Sequence, residues 1–226
     1  MNIIKPIFLA GTVMGLLLAG ACNEGNQNDP DDAEQSETND RVSQNNSGEI
    51  AVMHQQHKSL KENFAHQDII LLENPYNPEK AAVESMKLVI AAYLEMKDTF
   101  VQGNVEDVND AANRMIQKVS AVNSHKFTGE GEKAWQQHSS LYLEKLRELQ
   151  HTNSLDAKRS YFSHLSEIAY CTVKSFDLKA DIELFAAFCP MASDGKGAYW
   201  LAETRTIRNP YFGEQMLNCG EIKESL

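Results

Sequence analysis

From Pro78 onward, apolar side chains recur every three or four residues, the spacing that lines one face of a helix. Val83, Met86, Ile90, Leu94 and Val101, with Tyr93 beside them, predict a first helix that opens at Pro78-Glu79 and stops at Gly103-Asn104. Asn104 and Asp107 suit the cap of a second helix. Its stripe is Val105, Val108, Ala112, Met115, Val119 and Val122. The break TGEGE at 128–132 precedes a third helix carrying Trp135, His138, Tyr142, Leu146 and Leu149. After HTNSLD, with Ser154 as cap, a fourth runs to about Asp177 and turns Phe162, Leu165, Ala169, Thr172 and Phe176 inward. Four amphipathic helices on short connectors predict a mainly α protein, an up-down four-helix bundle. The spacing drifts between three and four, which argues against an extended coiled coil.

Beyond the fourth helix this rhythm is lost. Ile182–Phe188 and Ala198–Leu201 are short apolar runs, and Pro190, Gly195, Gly197, Pro210 and Gly213 interrupt any helix among them. A small irregular or β-hairpin C-terminal cap over about residues 180–226 is expected, packed on the bundle to complete a domain of residues 79–226. Residues 50–78 fit no single element. They hold His54 and His57 in HQQH, the apolar run Ile69–Leu72 and the connector NPYNP. The two histidines have a spacing that suits a metal if helical, but beside a polar tether they read as a solvated face.

The N-terminus follows a third pattern. Lys5 precedes an apolar stretch from Ile7 to Ala21, too short to span a bilayer comfortably and laid out as a secretory signal. Ala19-Gly20-Ala21 are followed by Cys22, the arrangement of a bacterial lipoprotein signal with Cys22 as the lipid-modified residue, although Ala19 stands where Leu is commoner. Residues 22–49 then carry eight acids against one base, Arg41, with almost no apolar side chains. Such a segment buries too little surface to offset its chain entropy and reads as a disordered tether. The expected location is the cell envelope, as an outer-membrane lipoprotein held to the membrane through its lipid and facing the periplasm or the cell surface. The whole chain has 21 basic and 32 acidic residues and no basic patch, so nothing points to nucleic acid.

Candidate chemistry concentrates near the C-terminus. Cys189 and Met191 are two apart, which in an extended segment points both to one side. Met216 and Cys219 are three apart, which aligns them on a helical turn. If the pairs meet, two thiolates and two thioethers converge, a soft donor set that selects Cu(I); thioether is a poor zinc ligand. Tyr199 and Trp200 would shield such a site. The competing reading is equally physical: in an oxidising compartment Cys189 and Cys219 form a disulfide, stabilising the domain by roughly 3–4 kcal/mol, and the methionines fill gaps. Cys171 leaves an odd thiol. It lies seven residues after His164, so both could lend ligands from the bundle side, while a buried inert thiol and a hydrogen-bonded core His138 are the plainer expectations. The chain holds no phosphate loop, nucleophile elbow or HExxH motif, so no enzyme is expected.

The segments CPMA (189–192), GKGAYWL (195–201), IRNPYFG (207–213), Met216-Leu217 and Cys219-Gly220 resemble the signature of a Bacteroidetes envelope family, domain of unknown function 3347. AAYLEMKDTFVQGN at 91–104 and FSHLSE at 162–167 also resemble its helical part, and Ala202 stands where Ser is common. The resemblance implies a secreted or lipid-anchored helical domain of a kind also found fused to heavy-metal efflux adaptor proteins. It therefore favours copper(I) as the ligand and efflux components as partners. The expected ligands are Cys189, Met191, Met216 and Cys219, with His164 and Cys171 as neighbours. The alternative is a structural or partner-binding module in which a Cys189–Cys219 disulfide holds an aromatic cap of Tyr199, Trp200, Tyr211 and Phe212.

Overall fold

The computed structural model of the chain describes residues 59–178 and 183–226. The signal segment, Cys22, the acidic tether, His54 and His57 lie outside the described residues.

Four helices form as the apolar periodicity predicts: α1 (Lys80–Gln102), α2 (Val105–Ala121), α3 (Gly129–His151) and α4 (Leu155–Ser175). Each packs on the next, and α4 closes back on α1. Asn104 accepts from the backbone N–H groups of Glu106 and Asp107, and Ser154 from that of Ala157, so two predicted caps satisfy donors the helices cannot. Every residue of the third and fourth predicted stripes is buried. In α1, Val83 and Leu94 are only half-buried, because Val89, Met96 and Phe100 carry the stripe toward the core.

The core is aromatic and polar by turns. Tyr93 stacks on Phe162 with centroids 5.3 Å apart, and its hydroxyl bonds the Ser166 hydroxyl at 2.8 Å. Leu201 N–H donates to the same Tyr93 oxygen at 3.1 Å, which ties the cap to the bundle. His138 is the expected core histidine. Its Nε2 donates to the Ile70 carbonyl at 2.7 Å, and Nδ1 faces the Thr172 hydroxyl at 3.1 Å. Burial pulls its pKa down to about 4, although the Ile70 carbonyl works against that shift.

Residues 59–79 resolve the segment that fitted no element. After a 3₁₀ turn, Leu60–Asn63, the chain runs as a strap across α3 and α4. Phe64 and Ile69 are buried. The Ala65 and His66 N–H groups bond the Glu167 carboxylate at 2.8 and 3.1 Å, Ile70 N–H bonds Gln137 at 2.7 Å, and Tyr76 N–H bonds the Ser175 carbonyl at 2.7 Å. The Tyr76 ring lies over Gly131, where a Cβ would stand 2.4 Å from the ring carbon Cγ.

The cap is a three-stranded antiparallel sheet of order β2-β1-β3, with β1 Phe185–Cys189, β2 Ala198–Ala202 and β3 Glu221–Ser225. The expected hairpin is β1-β2, closed by a tight turn at Ala192–Gly195 and packed on α4. In that turn Ser193 and Asp194 are left-handed, at φ 52° and 56°. Gly197 follows at φ 82°, and a Cβ there would fall 2.2 Å from the Phe188 ring. β3 adds a strand the periodicity did not indicate. Its charged, exposed residues suit a sheet edge. No helix of the described residues is long and apolar enough to cross a membrane.

Candidate functional site

The edge strand brings the two ends of the CPMA…CG stretch together. β1 pairs with β3 so that Phe188 stands opposite Glu221. One step further along β1 is Cys189, and one and two steps back from Glu221 are Gly220 and Cys219. The Cys189 and Cys219 side chains lie close enough for each thiol to be felt by the other, and the Met191 backbone N–H lies near the Cys219 sulfur. Cys189 is buried and Cys219 half-buried, and both are free thiols. The Cys189 thiol beside it, then burial, raises the Cys219 pKa, while the Met191 N–H works the other way.

Asn209 sets this geometry and is fully buried. Its side-chain N–H donates to the Cys219 carbonyl at 2.8 Å, and its side-chain oxygen accepts from Tyr211 N–H at 2.7 Å. Its backbone N–H and carbonyl bond Leu217 and Gly213 at 2.8 and 3.0 Å. One residue thus clamps the loop from 209 to 219 at four points. The Tyr211 hydroxyl donates to the Tyr199 carbonyl, and Arg159 Nε donates to the Pro210 carbonyl at 3.1 Å, fastening that loop to β2 and α4.

The methionines lie differently from the expectation. β1 ends at Cys189, and Met191 sits in the turn with φ −85° and ψ −14°, so the two do not share a face of one extended segment. Cys189 points inward and Met191 outward. Met216 and Cys219 do share a turn, closed by a 3.0 Å bond from Cys219 N–H to the Met216 carbonyl. Met191 and Met216 are 55% and 38% exposed, and with Leu88 they make up the exposed large apolar side chains of the described residues. Met191 also lines a cavity of about 340 Å³ with Arg159, Ser193, Asp194, Tyr211 and Gln215.

His164 and Cys171 lie elsewhere. Cys171 is sealed in the core, where burial pushes its thiol up to about 12. His164 lines a separate cavity of about 320 Å³ with His66, a residue that no sequence pattern marks out. Burial, then the neighbouring His66 and Lys145, pulls His164 down to about 4. Among the described residues no group of three or more His, Cys, Asp or Glu side chains is gathered as for a metal, so neither residue joins the Cys189–Cys219 pair. Of the aromatic cap, Tyr199, Trp200 and Tyr211 are buried and Phe212 half-buried, so these rings pack against the bundle.

Asn209 and Glu167 are structural hubs that spacing alone did not mark. For Asn209 the available signal is its place directly before a breaker, Asn209-Pro210, where a side chain that bonds backbone is favoured.

Residues 89–181 match the model of a family described as "Protein of unknown function (DUF3347)". The match runs from within α1 past the end of α4 and stops before Cys189, so it supports the resemblance on the helical part. No curated protein and no solved structure matches the chain.

Proposed function

We propose that this chain, with its DUF3347 segment at 89–181, is a lipid-anchored cell-envelope protein that binds a soft metal ion, Cu(I), at the Cys189–Cys219 pair. It buffers the ion or passes it to efflux components. The observation that carries this reading is the contact between two free thiols at the mouth of the cap, with exposed thioethers two and three residues away. Two thiolates suit a soft monovalent ion. Burying Cys189 on one side while leaving Met191 and Met216 in solvent offers the ion an approach and a thioether to take up or release it. The anchor and the envelope location rest on the layout of residues 1–49.

The same contact supports a second reading, in which oxidation joins Cys189 to Cys219 and the cap is a structural or partner-binding module. The two are separated by titrating the reduced full chain with Cu(I) against a chromophoric competitor, alongside mass spectrometry of the chain as isolated from the envelope. One Cu(I) per chain, lost in Cys189→Ser/Cys219→Ser and weakened about tenfold in Met191→Leu and Met216→Leu, is the expected result. Uptake no greater than that of the double variant, with the isolated chain two hydrogens lighter than its reduced mass, would replace it by the second reading.

A further inference from the structure

The His66–His164 cavity lies apart from the residues of the cap. The two imidazole rings touch, with centroids 3.6 Å apart and planes tilted by 55°. His66 Nδ1 is 2.7 Å from Glu167 Oε2, a carboxylate that can only accept, so Nδ1 is the donor there and Nε2 is the nitrogen left for a ligand. A carboxylate fixing one imidazole nitrogen so that the other faces a metal is a recurring arrangement in metal sites. Glu167 is itself held by the Ala65 and His66 amides, so the ring is oriented by groups that are already pinned.

His164 supplies the second donor. Its Nδ1 is buried and, alone among the buried side-chain nitrogen and oxygen atoms of the described residues, has no hydrogen-bond partner. An unpaired polar atom out of water costs about 1–3 kcal/mol, so a position that keeps one calls for a ligand that pairs it. Solvent reaches the site, for the His66 side chain is 32% exposed. Asp68 and Glu144 also line the cavity. Lys145 also lies on it, and its charge is met by Glu144 and Glu148 at 2.8 and 2.9 Å.

We propose that His66 and His164 form a second metal site, taking a borderline divalent cation of the Zn(II) or Cu(II) class through two imidazole nitrogens, with water completing the shell. Imidazole suits these ions, whereas Mg(II) and Ca(II) prefer an all-oxygen set. The strap that carries His66 is joined to α4 at this point by Glu167, so a bound ion would also lock the strap to the bundle.

The test is side-chain ¹⁵N NMR of the full chain titrated with Zn(II) alone. His66 Nε2 and His164 Nδ1 are expected to shift together and saturate at one equivalent, while buried His138 stays fixed. Glu167→Gln keeps an acceptor for the strap amides and should weaken binding 10–100-fold. His164→Gln should abolish the saturable step. Because the readout is specific to each ring, it is independent of whether Cys189 and Cys219 hold Cu(I). Unmoved His66 and His164 resonances, or shifts confined to the exposed His125 and His151, would overturn the proposal.

Discussion

At the scale of single residues, the cap depends on atoms that bond backbone. Asn209 has no chemistry of its own to offer a metal, yet it positions Cys219 by taking that residue's carbonyl and presenting its own oxygen to Tyr211. Asn209→Ala leaves both groups unpaired and should cost about 2–3 kcal/mol, read as a fall in the denaturant midpoint. On the reading in which the thiols bind Cu(I), it should also weaken uptake, since Cys219 is freed from Cys189. A denaturant midpoint within experimental error of wild type would show that the loop holds itself without the clamp. The thiols make a second prediction. Cys219 is held above its ordinary range by its neighbour Cys189 and remains protonated at neutral pH. Cu(I) must therefore displace a proton from that sulfur. Apparent affinity should fall as pH falls, by roughly tenfold per unit for each proton released, and a pH-stat should record that release on titration. Binding independent of pH between 6 and 8 would place the ion elsewhere.

At the scale of elements, the helices were legible because each one repeats its period for several turns, so single misplaced residues such as Leu94 do not change the outcome. The strap and β3 were not, for opposite reasons. The strap bonds through isolated backbone amides to Glu167, Gln137 and Ser175, partners 67 to 103 positions away that leave no local pattern. β3 is an edge strand of mostly charged residues, which reads as a polar tail unless its partner is known. That omission is also why the site was seen only in part. Residue type alone suggests that Cys189 and Cys219 converge, while β3 is the element that brings it about, and the turn after β1 is what sends Met191 outward. The strap yields its own prediction. Gly131→Ala would gain helix propensity in the first turn of α3, about 1 kcal/mol at most. The new methyl meets the root of the Tyr76 ring, and overpacking costs about 1–3 kcal/mol. The net change should be destabilising, with faster hydrogen exchange at the Tyr76 amide that bonds Ser175. Combining it with Tyr76→Ala should remove that penalty. Strictly additive effects of the two substitutions would show that the ring is free to move aside.

At the scale of the whole molecule, strap, bundle and cap meet on α4. Glu167 holds the strap, Thr172 meets His138, Ser166 meets Tyr93 under β2, and Arg159 holds the Pro210 loop. Loosening of α4 should therefore be felt in every part at once, and pH supplies a way to impose it. His138 is wholly buried between strap and helix and is held neutral by desolvation, with a folded pKa of about 4 against an ordinary 6.5. Between those values the unfolded chain binds a proton that the folded chain refuses, so stability rises with pH across that window. The contribution is complete above about pH 6.5, is lost progressively as pH falls toward 4, and amounts to roughly 3 kcal/mol for this one residue. Denaturant midpoints measured from pH 7 to 4 should fall accordingly. His138→Gln keeps an N–H for the Ile70 carbonyl but cannot titrate, so its stability should lose the His138 share of the slope and keep the share that His164 supplies, while remaining below wild type at pH 7. An unchanged slope in His138→Gln would shift the pH dependence to the other depressed histidine, His164, whose own substitution would then flatten it.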